Sequence, residues 1–345
     1  MNSRWIRSFL FACGFVAFMA AGIVSAAPRY GRMVYWSDKD AGKIQRADRS
    51  TRVVEDILTK SDGLIEPRGL AIDPRTATMY WADAGTGTIY AADLEGENRQ
   101  VLVTGLLSPA DFELCLPENA LYWADTSAGK IQRLVLDGQS DPEDVLTGIV
   151  QPYYFAIDPV SRTIYYSQFS SGTIYRAPLD GGASTVFISG QGQVRDIDLD
   201  LRSGLIYWAD RGTTPKISYT DLARTGPIKT LFAPPNLVRP HGLALHLAEN
   251  KLYWTDTKTS AIHRGNLDGT GKEYFVSGLV GPWDMVILAP GPDFDADWDV
   301  DLADFAVLAQ YWLTDDWRGD INADGSVNGL DLTLFAADWL WSVDS

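Results

Sequence analysis

The chain has 345 residues, of which 45 are acidic and 29 are basic, and its formal net charge is −16. This excess of negative charge argues against nucleic acid as a partner of the whole chain, because binding to phosphates requires basic surfaces. The length is sufficient for two domains.

Residues 1–26 have the pattern of a secretory signal peptide. Arg4 and Arg7 precede a long apolar run that ends in small residues suited to cleavage. Cleavage would leave Cys115 as the only cysteine, so no disulfide bond can form within the mature chain. We therefore predict secretion; a permanent membrane anchor is the alternative interpretation. No second long apolar segment follows, so we expect nothing else to span a membrane.

A Tyr-Trp-x-Asp tetrapeptide or a close variant recurs six times at intervals of 42 to 46 residues, and a period in this range is typical of propeller and solenoid repeats. The copies begin at Tyr35, Tyr80, Tyr122, Tyr165, Tyr207 and Tyr253. An apolar run that usually follows a proline lies upstream of most copies, and a strand-like segment ending near a Leu-Asp-Gly turn lies downstream. Each unit therefore reads as four short strands, which is the size of one propeller blade.

These units resemble the YWTD, or class B, repeats of the low-density lipoprotein receptor family. The resemblance covers about residues 30–288 and implies an all-β fold, a six-bladed β-propeller with four-stranded blades, within a domain at residues 27–290. The fourth copy, residues 165–168, reads Tyr-Tyr-Ser-Gln and lacks both the tryptophan and the aspartate. Because that aspartate helps to bind neighbouring blades in the family, we expect the fourth blade to be held less firmly.

The order of the strands predicts how the ring closes. The first tetrapeptide comes too early in the chain to have its own apolar strand before it, whereas a further apolar strand at residues 281–288 follows the last tetrapeptide. We predict that this C-terminal strand completes the first blade, so that three N-terminal strands and one C-terminal strand form one sheet.

The residue that opens the apolar strand differs from blade to blade. If this strand is the innermost, its opening residues should surround one mouth of the central channel. The candidate ligand-binding residues at this position are Arg68, Tyr153, Arg195, His241 and Trp283, with Ala110 in the remaining blade. Aromatic and arginine side chains are favoured in binding hot spots, and propellers of the receptor family bind protein or peptide ligands at this mouth. The alternative is that these side chains only fill the channel.

Catalytic signatures are not evident in the propeller segment. It has three histidines and no Gly-x-Ser-x-Gly, His-Glu-x-x-His or phosphate-loop motif. Six-bladed propellers nevertheless also host lactonases, lyases and glycan-active enzymes. A metal-dependent lactonase would need carboxylates that converge on one cation, and Asp111, Asp196 and Asp284 follow the mouth position in alternate blades.

Most of the negative charge lies in residues 291–345. Without Arg4 and Arg7 the chain carries −18, and residues 293–345 supply −12 through thirteen aspartates and one arginine. The spacing matches twelve-residue calcium loops, which use oxygen ligands at positions 1, 3, 5, 7, 9 and 12. The candidate ligands are Asp293, Asp295, Asp297, Asp301 and Asp304 in the first loop and Asp320, Asn322, Asp324, Asn328 and Asp331 in the second. We predict two bound Ca²⁺ ions; the first loop has Trp298 where glycine is usual.

An apolar, helix-like stretch follows each loop, at residues 305–313 and 332–341. The two loop-helix units resemble a type I dockerin, a small α-helical domain with paired calcium loops. The resemblance implies attachment to a cohesin-like module or a cell-surface scaffold. At loop positions 10 and 11 the family often has a Ser/Thr-type pair, which Leu302-Ala303 and Gly329-Leu330 replace here. The alternative is a solvated acidic tail.

Taken together, these patterns favour a secreted, non-catalytic binding protein. Its propeller would capture a protein or glycan ligand at the mouth, and its calcium-dependent tail would attach it to the partner. Animal receptors of the class surround their propellers with disulfide-rich modules, which are absent here, so we predict a bacterial protein. The alternative is a propeller enzyme of polysaccharide breakdown, because dockerins are often attached to such enzymes.

Overall fold

Short apolar runs separated by turn residues produce an all-β ring. The computed structural model describes residues 33–73, 76–201, 203–235, 237–247 and 249–288, together with residues 305, 308, 309, 312, 313, 327–329, 332 and 335 of the tail. Within these residues 24 strands form six four-stranded antiparallel sheets. The predicted six-bladed propeller with four-stranded blades is therefore confirmed.

Each blade contributes one strand to each of four concentric layers. The innermost strands are β4 (Pro67–Asp73), β8 (Pro109–Cys115), β12 (Pro152–Asp158), β16 (Val194–Asp200), β20 (Pro240–His246) and β24 (Pro282–Ile287). The second strands are β1 (Met33–Asp38), β5 (Thr78–Asp83), β9 (Ala120–Asp125), β13 (Thr163–Gln168), β17 (Leu205–Asp210) and β21 (Lys251–Asp256). The third strands are β2 (Lys43–Asp48), β6 (Thr88–Asp93), β10 (Lys130–Val135), β14 (Ile174–Pro178), β18 (Lys216–Asp221) and β22 (Ala261–Asn266). The outer strands are β3 (Val54–Leu58), β7 (Gln100–Val103), β11 (Glu143–Leu146), β15 (Thr185–Ile188), β19 (Lys229–Phe232) and β23 (Glu273–Ser277).

The ring closes as predicted. Strand β24 pairs antiparallel with β1, with Val34 opposite Ile287 and Trp36 opposite Met285. The first blade thus has the strand order β24-β1-β2-β3, and its innermost strand comes from the other end of the propeller segment. The innermost strands of all six blades contact their neighbours around the central channel, which places the opening residues of these strands at one mouth.

The core consists of six clusters, each between two adjacent blades. The tryptophans of the tetrapeptides are fully buried in these clusters, because alternate residues of a strand face opposite sides of the sheet. They are Trp36, Trp81, Trp123, Trp208 and Trp254, and Tyr166 takes the equivalent place in the fourth blade. The repeated aromatic residue therefore supplies the packing between blades.

The aspartate that ends each complete tetrapeptide holds the loop that leads in from the preceding blade. Asp83 accepts hydrogen bonds from the backbone N–H groups of Ile65 and Glu66, at 2.8 and 3.0 Å. Asp38, Asp125, Asp210 and Asp256 each accept the same pair of bonds in their own blades. Among the described residues Gln168 makes no such side-chain bond, so the fourth blade lacks this attachment.

The third strand of several blades begins just after a glycine that no other residue could replace without strain. Gly129 has a φ of 68°, and a Cβ atom there would lie 2.7 Å from the carbonyl oxygen of Ile149. The amide of Ile149 in turn donates to the carbonyl oxygen of Gly129 at 3.0 Å. This close approach ties the turn between the second and third strands to the loop that follows the outer strand.

The tail has a small apolar cluster of its own. Leu308, Val327 and Phe335 are buried, and the rings of Phe305 and Phe335 lie 5.7 Å apart. Residues 305, 308 and 309 and residues 329, 332 and 335 are helical, so the two predicted apolar stretches contact each other.

Several predictions concern residues outside the described part of the chain. They include the signal peptide at residues 1–26 and the proposed calcium ligands other than Asn328. Over the residues that the structure describes, no helix has the length and apolar character needed to cross a membrane.

Candidate binding site at the propeller mouth

The residues that open the innermost strands meet at the mouth, as the sequence predicts. The rings of His241 and Trp283 lie 3.9 Å apart, and each lies 6.3 Å from the ring of Tyr153. The guanidinium of Arg195 lies 4.9 Å from the centre of the Tyr153 ring, and that of Arg68 lies 5.6 Å from the Trp283 ring. These contacts join residues from five blades into one aromatic and cationic cluster.

The cluster both fills the channel and reaches the surface. Tyr153, Arg195 and His241 are buried, whereas Arg68 and Trp283 are only partly buried. The mouth therefore has a closed floor and an accessible rim, and a ligand would first meet the residues of the rim.

A second set of mouth residues was not predicted. It comprises the residues directly after each tetrapeptide, and each of them donates its backbone N–H to the loop before an innermost strand. These residues are Lys39, Ala84, Thr126, Phe169, Arg211 and Thr257. Phe169 packs 4.8 Å from Tyr153, and Lys39 lies 5.2 Å from the Trp283 ring. Because each of these residues directly follows a tetrapeptide, alignment of the repeats could have identified them as mouth residues.

Positive charge accumulates at the mouth without matching negative charge. Arg195 donates to the carbonyl oxygens of Phe169 and Val194 at 3.2 and 3.3 Å, and it stacks on Phe169. Burial, together with the nearby Arg211, lowers the pKa of Arg195 to about 10. Within the described part of the chain, no carboxylate lies within ion-pair distance of Arg195, Arg211 or Arg239. The other side of the rim is balanced, because Glu66 pairs with Arg68 at 2.8 Å.

His241 is held as a neutral side chain. Burial, together with the nearby Arg195, holds its pKa well below the usual value. Its Nδ1 atom forms a hydrogen bond with the hydroxyl of Tyr154 at 2.7 Å. His241 therefore adds a polar but uncharged surface to the floor of the mouth.

Three carboxylates lie one residue further along alternate innermost strands, at Asp111, Asp196 and Asp284, and all three are buried. Each accepts a hydrogen bond from a backbone N–H of the next blade. The donors are Phe155, Leu243 and Leu70, at 2.8, 2.6 and 2.8 Å respectively. These side chains thus connect neighbouring innermost strands. The described residues contain no group of three or more His, Cys, Asp or Glu side chains placed to hold a metal ion.

A second layer of carboxylates lies deeper in the channel. Glu113 accepts from the backbone N–H of Ile157 at 3.0 Å, and Asp198 accepts from that of Leu245 at 2.8 Å. Burial raises the pKa of Asp198 to about 6 and the pKa of Asp284 to about 7. Burial and the neighbouring carboxylates also raise the pKa values of Asp111, Asp196 and Glu113 well above their usual range.

The channel carboxylates should make the propeller less stable as the pH rises. A carboxyl group whose pKa is higher in the folded state binds a proton there at pH values where the unfolded chain has lost it, so its contribution to stability is lost as the pH rises through the folded pKa. For Asp198, whose pKa rises from an ordinary 3.8 to about 6 in the folded protein, the stability lost between these pH values is about 3 kcal/mol.

The measurement compares wild type with Asp198→Asn, whose amide resembles the protonated acid. Both oxygens of Asp198 accept backbone N–H bonds, from Leu199 and Leu245, so the amide nitrogen of the variant loses one of these bonds at every pH. On top of this constant loss, we expect the stability of the variant relative to wild type to rise by about 3 kcal/mol between pH 4 and pH 8. Histidines whose pKa values are lowered in the folded protein make it more stable as the pH rises. This effect is the same in wild type and variant, so it cancels in the difference between their free energies of unfolding. Asp141→Asn, at an exposed carboxylate, is the control. A difference that does not change with pH would contradict the prediction.

Comparisons with known proteins support the repeat. No family model matches the chain. A 71-residue segment is 45% identical to Nidogen-2 of Mus musculus and covers 21% of this chain and 5% of that protein. A 90-residue segment is 36% identical to low-density lipoprotein receptor-related protein 5 of Mus musculus, covering 26% of this chain and 6% of that protein. The chain thus spans only a small part of the length of these curated relatives.

Solved structures share the fold. The crystal structure of a nidogen/laminin complex contains a chain that superposes with a TM-score of 0.63 at 21% identity, covering 73% of this chain and 97% of that one. A gluconolactonase from Xanthomonas campestris superposes with a TM-score of 0.55 at 19% identity, covering 66% and 80%. At these identities the superpositions establish the fold alone. The aligned tetrapeptides, the sheet order and the sequence matches together show a YWTD-type six-bladed propeller that resembles the class B repeats of the low-density lipoprotein receptor family.

Proposed function

We propose that the propeller is a non-catalytic module that binds a protein at its central mouth. The observation that carries this proposal is the rim itself, where Lys39 and Arg68 both contact the ring of the partly exposed Trp283, which packs on a buried cluster of aromatic rings. Tryptophan and arginine are the residues most enriched in binding hot spots. The neighbouring nidogen structure, which is a complex with laminin, supports the same kind of partner.

The test replaces Trp283 with alanine. Proteins from the culture medium and cell envelope of the source organism are passed over the immobilised wild-type chain, and each captured protein is identified and its Kd measured. We expect Trp283→Ala to weaken the binding of a true ligand at least about 30-fold, since a hot-spot residue contributes about 2 kcal/mol or more.

The matched control is Tyr274→Ala, which removes an exposed aromatic ring from the outer strand of the sixth blade. Its Kd should stay within about twofold of wild type. An equal loss of affinity in both variants, or no loss in either, would reject the mouth as the binding site. Melting temperatures of both variants establish that the propeller remains folded.

We further propose that the chain is secreted and that residues 291–345 form a dockerin-like domain, which attaches it to a cohesin-like or cell-surface partner. The support is the regular spacing of the candidate ligands in two loops and the contact between the helical residues that follow them. The described apolar cluster is small, so ion binding should contribute much of the folding free energy of this domain.

Removal of calcium should unfold the tail and leave the propeller intact. Calorimetry of the full chain is expected to show two transitions in calcium, of which only the smaller disappears in EGTA. At a free calcium concentration 100 times the Kd, one site adds about 2.7 kcal/mol of stability. Asp331→Ala should weaken the calcium dependence, whereas Asp344→Ala, outside both loops, should not. A tail transition that is unchanged by EGTA would contradict the proposal.

A further inference from the structure

One position in the third strand has an arginine in four of the six blades. Its residue lies opposite the tyrosine of the tetrapeptide on one side and opposite a residue of the outer strand on the other. The fifth blade has a tyrosine at this position and the second blade has an alanine. In chain order the residues are Arg46, Ala91, Arg133, Arg176, Tyr219 and Arg264. The second blade is therefore the one that lacks a long side chain here.

Two blades bind this arginine with the same pair of groups. Arg264 donates to Glu273 of the outer strand at 2.7 Å and to the hydroxyl of Tyr253 at 3.2 Å. In the third blade the same contacts join Arg133, Glu143 and Tyr122. The repeat thus provides acceptors for a guanidinium group at this place, because both the tyrosine and the outer-strand residue lie opposite the arginine.

In the first blade the arginine also crosses to the next blade. Arg46 donates to Glu55 of its own blade at 2.9 Å. It also donates to the carbonyl oxygen of Leu94 at 3.1 Å and to the carboxylate of Glu95 at 3.0 Å, both in the second blade. An arginine at this position can therefore occupy the space between neighbouring blades, and an alanine leaves that space open.

A groove of about 560 Å³ lies between the second and third blades, where the arginine is missing. Its wall includes Tyr80 and Gln100, which lie opposite Ala91 as the tyrosine and the glutamate lie opposite the arginine in the sixth blade. Leu136 lines the groove from the third blade. The groove opens away from the mouth, since Thr76, which also lines it, follows the far end of an innermost strand. Its volume is within the range of small-molecule sites, about 300–1,000 Å³.

The lining of the groove is suited to a cation. Gln100 keeps an acceptor oxygen where the sixth blade has Glu273, and its neutral amide leaves no lone carboxylate in an empty groove. Asp93 lies at the wall, and its oxygens accept bonds from the backbone N–H groups of residues 95 and 97 and from the side chain of Asn98. None of the described residues that line the groove is a lysine or an arginine. The fixed negative charge of Asp93 therefore attracts a positive group.

We propose that the groove between the second and third blades binds a guanidinium group on an alkyl stem, which takes the place of the arginine that the second blade lacks. The guanidinium donates to Gln100 and to the hydroxyl of Tyr80, and the stem lies on Ala91 and Leu134. An arginine side chain of a partner protein and a free alkylguanidine share this chemistry. The site is separate from the mouth and does not depend on the proposed function.

The test titrates the full chain, isotope-labelled at its alanine methyl groups, with butylguanidinium and with butylurea, which has the same shape but no charge. We expect butylguanidinium to shift the methyl signals of Ala77, Ala91 and Ala92, which line the groove. The signal of Ala124, which lies between the third and fourth blades, should not move. The Kd of butylurea should be at least about tenfold higher, because charge-assisted hydrogen bonds are stronger than neutral ones.

Two variants fill the groove. Ala91→Arg/Gln100→Glu rebuilds the arrangement of the sixth blade, and Ala91→Leu occupies the same space without a charge, which provides a second measurement if the double variant does not fold. Both should abolish the shifts of Ala77 and Ala92. The control, Val186→Ser, changes an exposed valine on the outer strand of the fourth blade and should leave the Kd within about twofold of wild type.

The source of the guanidinium is distinguished with N-acetylarginine methylamide. If this compound binds more tightly than butylguanidinium, the site takes an arginine of a partner protein; the reverse order assigns it to a free alkylguanidine. Equal Kd values for butylguanidinium and butylurea, shifts that persist in both filled variants, or no shift at the groove in wild type would each overturn the proposal.

Discussion

Replacing Asp256 with alanine is expected to lower the free energy of unfolding of the propeller by about 3–5 kcal/mol. This carboxylate is fully buried and accepts four backbone N–H bonds. The donors are Val238, Arg239, Lys258 and Thr259, at 2.8 to 3.0 Å. Alanine leaves these groups without a partner where water has little access, and each unmade bond costs more than an average hydrogen bond contributes. Urea denaturation of the full chain measures the change.

The fourth blade provides the matched control. Gln168 stands at the same position but makes none of these side-chain bonds among the described residues, so Gln168→Ala should cost less than about 1 kcal/mol. Asp256→Asn, which keeps one acceptor oxygen, should fall between the two alanine variants. Equal losses for Asp256→Ala and Gln168→Ala would show that the aspartate does not hold the loop. Such a result would also remove the reason to expect a loosely held fourth blade.

The architecture was predictable because each repeat contains both a core residue and a loop-binding residue at fixed positions. A buried tryptophan such as Trp81 and a loop-binding aspartate such as Asp83 are needed once in each blade, so both recur at the blade period. Closure followed from counting strands, since an unpaired apolar strand at the end of the propeller segment has only the first blade to join. The residues of the innermost strand that meet at the mouth were located by the same alignment.

The burial and the hydrogen bonds of the mouth residues could not be derived from their positions in the sequence. Arg195 is buried because Tyr153 and Phe169 stack on it, and that contact joins side chains of the fourth and fifth blades. Spacing alone showed that Asp111, Asp196 and Asp284 alternate around the channel. Their hydrogen bonds to the next blade depend on the separation of the innermost strands, which no local pattern contains.

The loops that lead to the innermost strands illustrate a third kind of limit. Ile65 and Val280 belong to the repeat and could be aligned, but sequence does not distinguish an exposed aliphatic residue from a core residue one position away. Leu64 turns inward and Ile65 outward, and Ile149 and Val150 do the same in the fourth blade, which lacks the aspartate bond, so the path of the loop backbone decides the direction. Alignment therefore locates these exposed aliphatic residues only after one blade is known in three dimensions.

Removal of strand β24 should abolish cooperative folding of the propeller. A chain that ends at Gly281 loses the strand that pairs with β1, and with it Met285 and Leu288 from the inter-blade clusters. The hydrogen bond from Leu70 to Asp284 is lost as well. The first blade would then expose Trp36 and an unpaired edge to the channel, and exposed strand edges favour aggregation. A chain that ends at Leu288 keeps every one of these contacts and is the matched control.

We expect the chain ending at Leu288 to unfold in one cooperative transition in urea, and the chain ending at Gly281 to aggregate or to lack such a transition. Addition of a synthetic peptide spanning residues 279–288 to the shorter chain should restore part of the transition, because the peptide can pair with the free edge of β1. A shorter chain that unfolds cooperatively within about 1 kcal/mol of the longer one would show that five complete blades hold the ring without closure. Closure by β24 would then serve the mouth, through Trp283, rather than the stability of the fold.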